Sequence, residues 1–286
     1  MSRPVPADLL EITDALLPGA PLDSARLAEH GNMHHVVLLP GIAAVRVSKR
    51  AGAAAELPRR VGILHAVAAA GMPFAVPEPM TAVTTFGERA AVAVSWIDGA
   101  SLPEGTGDPT VFGPLLDALR EVRISPELEA ALHRPRRRAD DGSGWADILN
   151  NQVIPRLPAR WRDRVRQRSD ELLAIEEVPA SLVHGDLGGG NVHFGADGTL
   201  TGVLDWDMAI LSDPAIDAAL VATWHGWHML RAATDEQIYR RAGAWDAAVG
   251  AGHLHAILRG RPLSNVDGFV RSVIAWLEDP GRCRDR

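Results

Sequence analysis

The sequence predicts an α+β chain in two lobes: a small antiparallel sheet carrying one helix, then a larger, mainly helical part interrupted by one hairpin. Three observations predict it. Up to about residue 97, short apolar runs alternate with Gly and Pro turn signals, as strands do. Beyond Gly99 the apolar residues recur at helical spacing. The 286 residues, 47% apolar and 23% charged, suit a globular protein of one large or two small bodies and exclude disorder, collagen-like repeats and a disulfide scaffold. The expected lobes are 1–97 and 98–286.

Each element follows from local signals. Asp8–Leu17 reads as a short helix ended by Pro18 and Gly19. Val36–Leu39 and Ile42–Val47 flank Pro40-Gly41 and read as a hairpin. Ala53–Ala70 places Leu57, Val61, Leu64, Val67 and Ala68 at helical spacing and stops at Gly71. Thr81–Phe86 and Ala90–Ile97 read as strands around Gly87. In the second lobe, helices are expected at Thr110–Val122, Trp145–Asn151, Trp161–Ile175, Pro214–Leu230, Asp235–Val249, His253–Arg259 and Val266–Leu277. Val192–Phe194 and Leu200–Leu204, with Asp197-Gly198 at the tip, form the one hairpin there. A junction between such lobes is where a small ligand is expected.

Composition narrows the function. The single cysteine, Cys283, allows no intrachain disulfide, and no apolar run approaches the roughly 18 residues of a membrane span. With no signal-peptide pattern in Met1–Leu10, the expectation is a cytoplasmic protein with no membrane partner. Net charge is −7. Residues 120–168 hold 12 Arg against 7 acids, so the remainder carries −12, which favours cationic ligands and disfavours nucleic acid. The basic run from Arg156 to Arg168 reads as a solvated helix face, and Trp224, Trp227 and Trp245 read as core. No His pair has the His-Glu-x-x-His form, which argues against zinc.

The informative stretch is 182–217. It holds His184-Gly185-Asp186-Leu187-Gly188-Gly189-Gly190-Asn191, then Asp205-Trp206-Asp207, then Asp213 and Asp217. Asp186 and Asn191 are five residues apart, and the hairpin returns the chain so that Asp205 emerges near Asn191. Mg²⁺ takes one or two carboxylates plus phosphate and water oxygens, which suits Asn191 and Asp205. A separate acid, Asp186, then accepts or orients a hydroxyl proton, the division of labour of phosphoryl-transfer sites. Asp207 reads either as a second metal ligand or as a neighbour orienting Asp205. His184 reads as a scaffold for the loop, and Asp213 and Asp217 as structural, the latter favoured at a helix start.

His-Gly-Asp-Leu, three residues, Asn, then Asp-Trp and Asp-Pro resembles the aminoglycoside phosphotransferase family of antibiotic kinases. The tight match covers about 35 residues, and the lobe layout fits the whole chain. The resemblance implies a bilobal protein-kinase-like fold, ATP or GTP with Mg²⁺ as cofactors, and a cationic antibiotic as the small-molecule partner. His34-His35-Val36-Val37 and the glycines at 188–190 further resemble the viomycin and capreomycin phosphotransferases, which act on tuberactinomycin peptides. Alternatives within the fold are aminoglycoside, macrolide or small-metabolite kinases; outside it, a nucleotide-binding module without catalysis. The resemblance also implies that Arg46 meets the α- and β-phosphates, held by Glu56 as the helix acid, while Lys49 at the strand end reads as solvated. Ser95 and Ile97 would bind adenine through their backbones. No Gly-x-Gly-x-x-Gly loop exists; Gly31-Asn32-Met33-His34 stands there. Asp235, Glu236, Asp246 and Asp267 are the acids offered to the acceptor.

Overall fold

Alternating burial builds the first sheet. The computed structural model describes residues 4–28, 33–258, 263 and 265–279, so Gly31, Asn32 and Cys283 lie outside the described residues. Helix α1 (Ala7–Leu16) precedes strands β1 (Arg26–Leu27), β2 (His34–Leu39) and β3 (Ala43–Ser48), helix α2 (Ala51–Ala68), and strands β4 (Thr84–Phe86) and β5 (Arg89–Ser95). The five strands form one antiparallel sheet in the order β1-β2-β3-β5-β4. Gly41, at φ +74°, makes the β2–β3 turn that the Pro-Gly pair predicts. Val37, Val45, Val47, Ala91 and Ala93 bury against Leu9, Ile12 and Leu16 of α1. Strand side chains alternate, so Val36 and Arg46, paired in register, belong to the opposite face, together with His34. Helix α2 packs on β3 and β5 and buries Leu57, Ile63 and Leu64, each worth about 1.5–3 kcal/mol of hydrophobic transfer.

The second stretch is helical. Helix α3 (Pro109–Arg120) starts where Asp108 accepts the Thr110 amide at 2.8 Å, and α4 (Pro126–Ala131) starts where Ser125 accepts the Leu128 amide at 3.2 Å. Helix α5 (Trp145–Ile148) runs on as a π turn to Val153, followed by α6 (Ala159–Ala174). Strand β6 (Ser181–Val183), hairpin strands β7 (Val192–Phe194) and β8 (Leu200–Val203), and strand β9 (Ile210–Ser212) come next. Helices α7 (Ala215–His225), α8 (Trp227–Ala233), α9 (Glu236–Ala247), α10 (Ala251–Leu258) and α11 (Val266–Glu278) close the chain. Among the described residues, no helix is long and apolar enough to cross a membrane.

Three differences from the sequence reading have physical causes. The single helix expected over Pro214–Leu230 breaks at Gly226, whose φ of +104° no helix tolerates. Strands β6 and β9 pair antiparallel although neither was expected, because three buried residues are too few to show a period. The chain divides into two compact units, Met1–Ala100 with His193–Asp207, and Ser101–Val192 with Met208–Arg286. The hairpin therefore goes with the sheet rather than with the helices. Thr201 Oγ1 donates to the Asp98 carbonyl at 2.7 Å, Ala75 bridges Gly202, and Ala100 exchanges backbone bonds with Phe194.

Candidate active site

In the helical unit, β6 delivers the His-Gly-Asp loop. Asp186 is exposed, and the Asn191 amide donates to both its carbonyl oxygen (2.9 Å) and its carboxylate Oδ2 (3.0 Å). The five-residue spacing thus closes into direct contact. With the Asn191 nitrogen engaged in this way, its Oδ1 is the side chain's acceptor atom. Buried His184 accepts the Asp186 amide on Nδ1 at 3.2 Å, which is the scaffold role its position suggests. Asp217, 2% exposed in the first turn of α7, accepts the amides of His184 at 2.7 Å and Gly185 at 2.9 Å. Burial pushes its carboxyl up to about 7, against the pull of the two amides and with help from Asp186. Sequence reading named Asp217 as structural; the structure specifies the job, pinning the loop that presents Asp186.

Glycines shape this loop for particular reasons. Gly185 has φ +80°, and a Cβ there would lie 2.0 Å from Nε2 of the buried His255. At Gly188 a Cβ would meet Trp224 Cβ at 3.3 Å, and Gly189 lies over the same indole. Trp224 is half-buried, whereas Trp227 and Trp245 belong to the core as expected.

In the sheet unit, a buried charge cluster forms on the α2-facing side. Arg46 donates Nη1 to Asp207 Oδ1 at 3.1 Å and Nη2 to Asp207 Oδ2, a bidentate pair. Arg60 of α2 donates Nη1 to the same Oδ2. Arg46 Nη2 also lies 3.7 Å from Asp205 Oδ1 and 3.5 Å from His34 Nδ1. Burial works against charge on Arg46, but Asp207 and Asp205 outweigh it and hold the guanidinium above its ordinary value. Burial likewise opposes Asp207, yet Arg46 and Arg60 hold its carboxyl below the usual range. Burial, then Arg46 and Arg60, lowers His34 to about 4, so it is neutral near pH 7.

The carboxylate on Arg46 is therefore Asp207 and not the expected Glu56, which ion-pairs with Arg59 at 3.2 Å on its own helix. The cause is helical phase. Arg60 lies on the buried face with Ala53, Leu57, Leu64 and Val67, while Glu56 lies beside it. An arginine in an apolar stripe was the signal available to sequence reading. Lys49 is exposed beyond β3.

Asp205 has φ +53°, the one non-glycine residue with positive φ among those described. That backbone costs roughly 1–2 kcal/mol and persists where neighbours over-determine it. Buried Trp206 donates Nε1 to the Val203 carbonyl at 2.9 Å on one side, and the arginine-bound Asp207 holds the other. The Asp205 side chain keeps half of its surface exposed.

Among the described residues, no three His, Cys, Asp or Glu side chains gather as a metal group. Nucleotide-bound Mg²⁺ takes a different donor set: an amide or carboxylate oxygen or two, with ligand and water oxygens. Asn191 Oδ1 and the exposed Asp205 carboxylate each fit that chemistry.

The remaining predicted residues have local partners. Ser95 exchanges bonds with Glu78 (2.8 and 2.9 Å), Ile97 is buried, and Trp96 donates Nε1 to Asp98 at 2.7 Å. Asp235 caps α9 by accepting the Ile238 amide at 2.8 Å, and Glu236 pairs with Arg231 at 2.9 Å. Asp246 is buried and accepts the Ala251 amide at 3.0 Å, while Asp267 stands in the first turn of α11.

Comparisons with known proteins place the chain in a family and match its fold. The model of a family described as the phosphotransferase enzyme family matches residues 30–254. Viomycin phosphotransferase of Streptomyces vinaceus is 30% identical over 234 residues, covering 77% of this chain and 80% of that protein. The GDP and kanamycin complex of APH(2'')-IIIa superposes with a TM-score of 0.76 at 17% identity, over 98% of this chain and 100% of that one. The apoenzyme of macrolide 2'-phosphotransferase MphH from Brachybacterium faecium gives 0.68 at 18% identity, over 93% and 97%.

Proposed function

The chain belongs to the phosphotransferase enzyme family, and on that premise we propose that it moves the γ-phosphoryl group of ATP to a hydroxyl of a cationic antibiotic of the tuberactinomycin peptide class. One observation carries the reading: Asp186 is exposed, hydrogen-bonded to Asn191, and mounted on a loop anchored by Asp217. Asp186 orients the acceptor hydroxyl and takes its proton as the oxygen attacks the γ-phosphorus. Asn191 Oδ1 and the Asp205 carboxylate would hold Mg²⁺, which when bound supplies neutralising charge for the phosphates. Arg46 neutralises the α/β side, kept in place by Asp207. The backbone of Ser95 and Ile97 takes the base. Positioning and electrostatics supply most of the rate, since phosphoryl transfer of this type forms no covalent enzyme intermediate.

The substrate class rests on the viomycin phosphotransferase relative, which exceeds the solved-structure neighbours in identity. A panel of viomycin, capreomycin, kanamycin, a macrolide, choline and homoserine, scored for ADP or GDP release with ATP or GTP, tests it. Mass spectrometry of the product should show one added phosphate on viomycin or capreomycin. Turnover confined to the other acceptors would move the substrate elsewhere in the family, and nucleotide binding without turnover of any acceptor would support the non-catalytic reading.

A further inference from the structure

We propose that Arg60 is a positioning residue for the nucleotide side of the reaction: it locks Asp207, and through Asp207 it fixes both Arg46 and the left-handed backbone of Asp205. The inference deepens the proposed function and rests on it. Protein-kinase sites pair the strand cation with an acid on the following helix. Here that helix contributes a second cation instead. The acid comes from the turn at Trp206–Met208, so one carboxylate answers two guanidiniums from β3 and α2. This arrangement joins two jobs that the protein-kinase pair keeps apart. Asp207 is two residues beyond Asp205, so whatever fixes Asp207 also fixes the strained residue before it.

Arg60 has no other evident task. It is 6% exposed, its Nε has no hydrogen-bond partner among the described residues, and its ion-pair partner is Asp207. A buried ion pair adds little net stability, because desolvation of the two charges offsets their attraction. Asp207 would keep its bidentate bond to Arg46 if Arg60 were lost. What it would lose is the restraint from α2 that stops the turn from swivelling about that single pair. The product of the Arg60 contact is therefore orientation: of Arg46 towards phosphate and of the Asp205 carboxylate towards a cation.

The test uses the full chain and Mn²⁺ as the probe, with binding of Mn²⁺·ADP followed by the free-Mn²⁺ electron paramagnetic resonance signal. Arg60→Met preserves volume and removes the donors; Arg60→Gln keeps one donor and removes the charge; Arg60→Lys keeps the charge. We expect Arg60→Met and Arg60→Gln to fold, to weaken Mn²⁺·ADP binding at least tenfold, and to lower kcat while the KM of the acceptor stays within twofold. Arg60→Lys should recover binding to within about threefold. Folded Met and Gln variants that bind Mn²⁺·ADP as wild type does would overturn the proposal. Unfolding of both would also overturn it, by assigning Arg60 to stability alone. Failure of the wild-type protein to bind Mn²⁺·ADP would instead sink the proposed function, and the inference with it.

Discussion

Asp186 and Asn191 show how much two side chains can define. Their hydrogen bond at 3.0 Å turns a sequence spacing into a geometry in which one acid stays exposed, and on the proposed function that acid takes the hydroxyl proton. Asp186→Asn retains an oxygen for that bond but removes the base. It should lower kcat by about 10²–10⁴-fold and change the nucleotide Kd less than threefold by calorimetry; equal losses would argue against the base. At Asp205 the informative replacement is Asn, which tolerates left-handed backbone and removes the charge. The Mg²⁺ concentration for half-maximal rate should rise at least tenfold, with an unchanged melting temperature. Asp217 makes a pH prediction. Its folded carboxyl is raised to about 7 from 3.8, so the folded state holds the proton more tightly than the unfolded chain. That contribution is complete below about pH 4 and is lost as pH rises through about 7, roughly 4 kcal/mol in all. In urea unfolding, wild type should lose stability relative to Asp217→Asn between about pH 4 and 7; parallel curves over that window would contradict the shift.

Elements decide where those side chains stand. The loop after β6 holds its course because Gly185 adopts φ +80° against the His255 ring, whereas Gly198 adopts φ +81° at the hairpin tip with nothing within 4 Å. Both positions carry backbone strain for any other residue, but only the first adds a steric clash. Gly185→Ala should therefore destabilise by about 2–4 kcal/mol and Gly198→Ala by about 1 kcal/mol, read from thermal melts. Gly185→Ala should also cut activity, because the displaced segment carries Asp186. Much of this scale was legible beforehand. The Pro40-Gly41 and Asp197-Gly198 turns, the α2 stripe and the helices after Gly99 follow from turn chemistry and periodicity. The pairing of β6 with β9 and the break at Gly226 were not, since three-residue strands carry no period and an isolated glycine inside an apolar run does not announce its φ.

At the scale of the molecule, charge and connectivity matter more than any element. The excess of acids outside residues 120–168 should draw in a cationic acceptor, so the KM of such a substrate is expected to rise several-fold between 50 and 500 mM salt, while that of a neutral acceptor holds steady. The hairpin that leads to Asp205 is stitched to the sheet unit through Ala75, Asp98 and Ala100, although it follows the His-Gly-Asp loop directly in sequence. By itself the sequence determined which residue types stand at which spacing: Asp186 and Asn191 five apart in a glycine-rich loop, and Asp205 just past a hairpin, because one loop and one turn are local features of the chain. Only the tertiary structure decided which carboxylate holds Arg46, because Asp207 lies 161 residues away and Arg60 reaches it across 147. Contacts over such separations leave no period or spacing in the chain; they exist because a sheet face, a helix face and a returning hairpin bury their charges against one another.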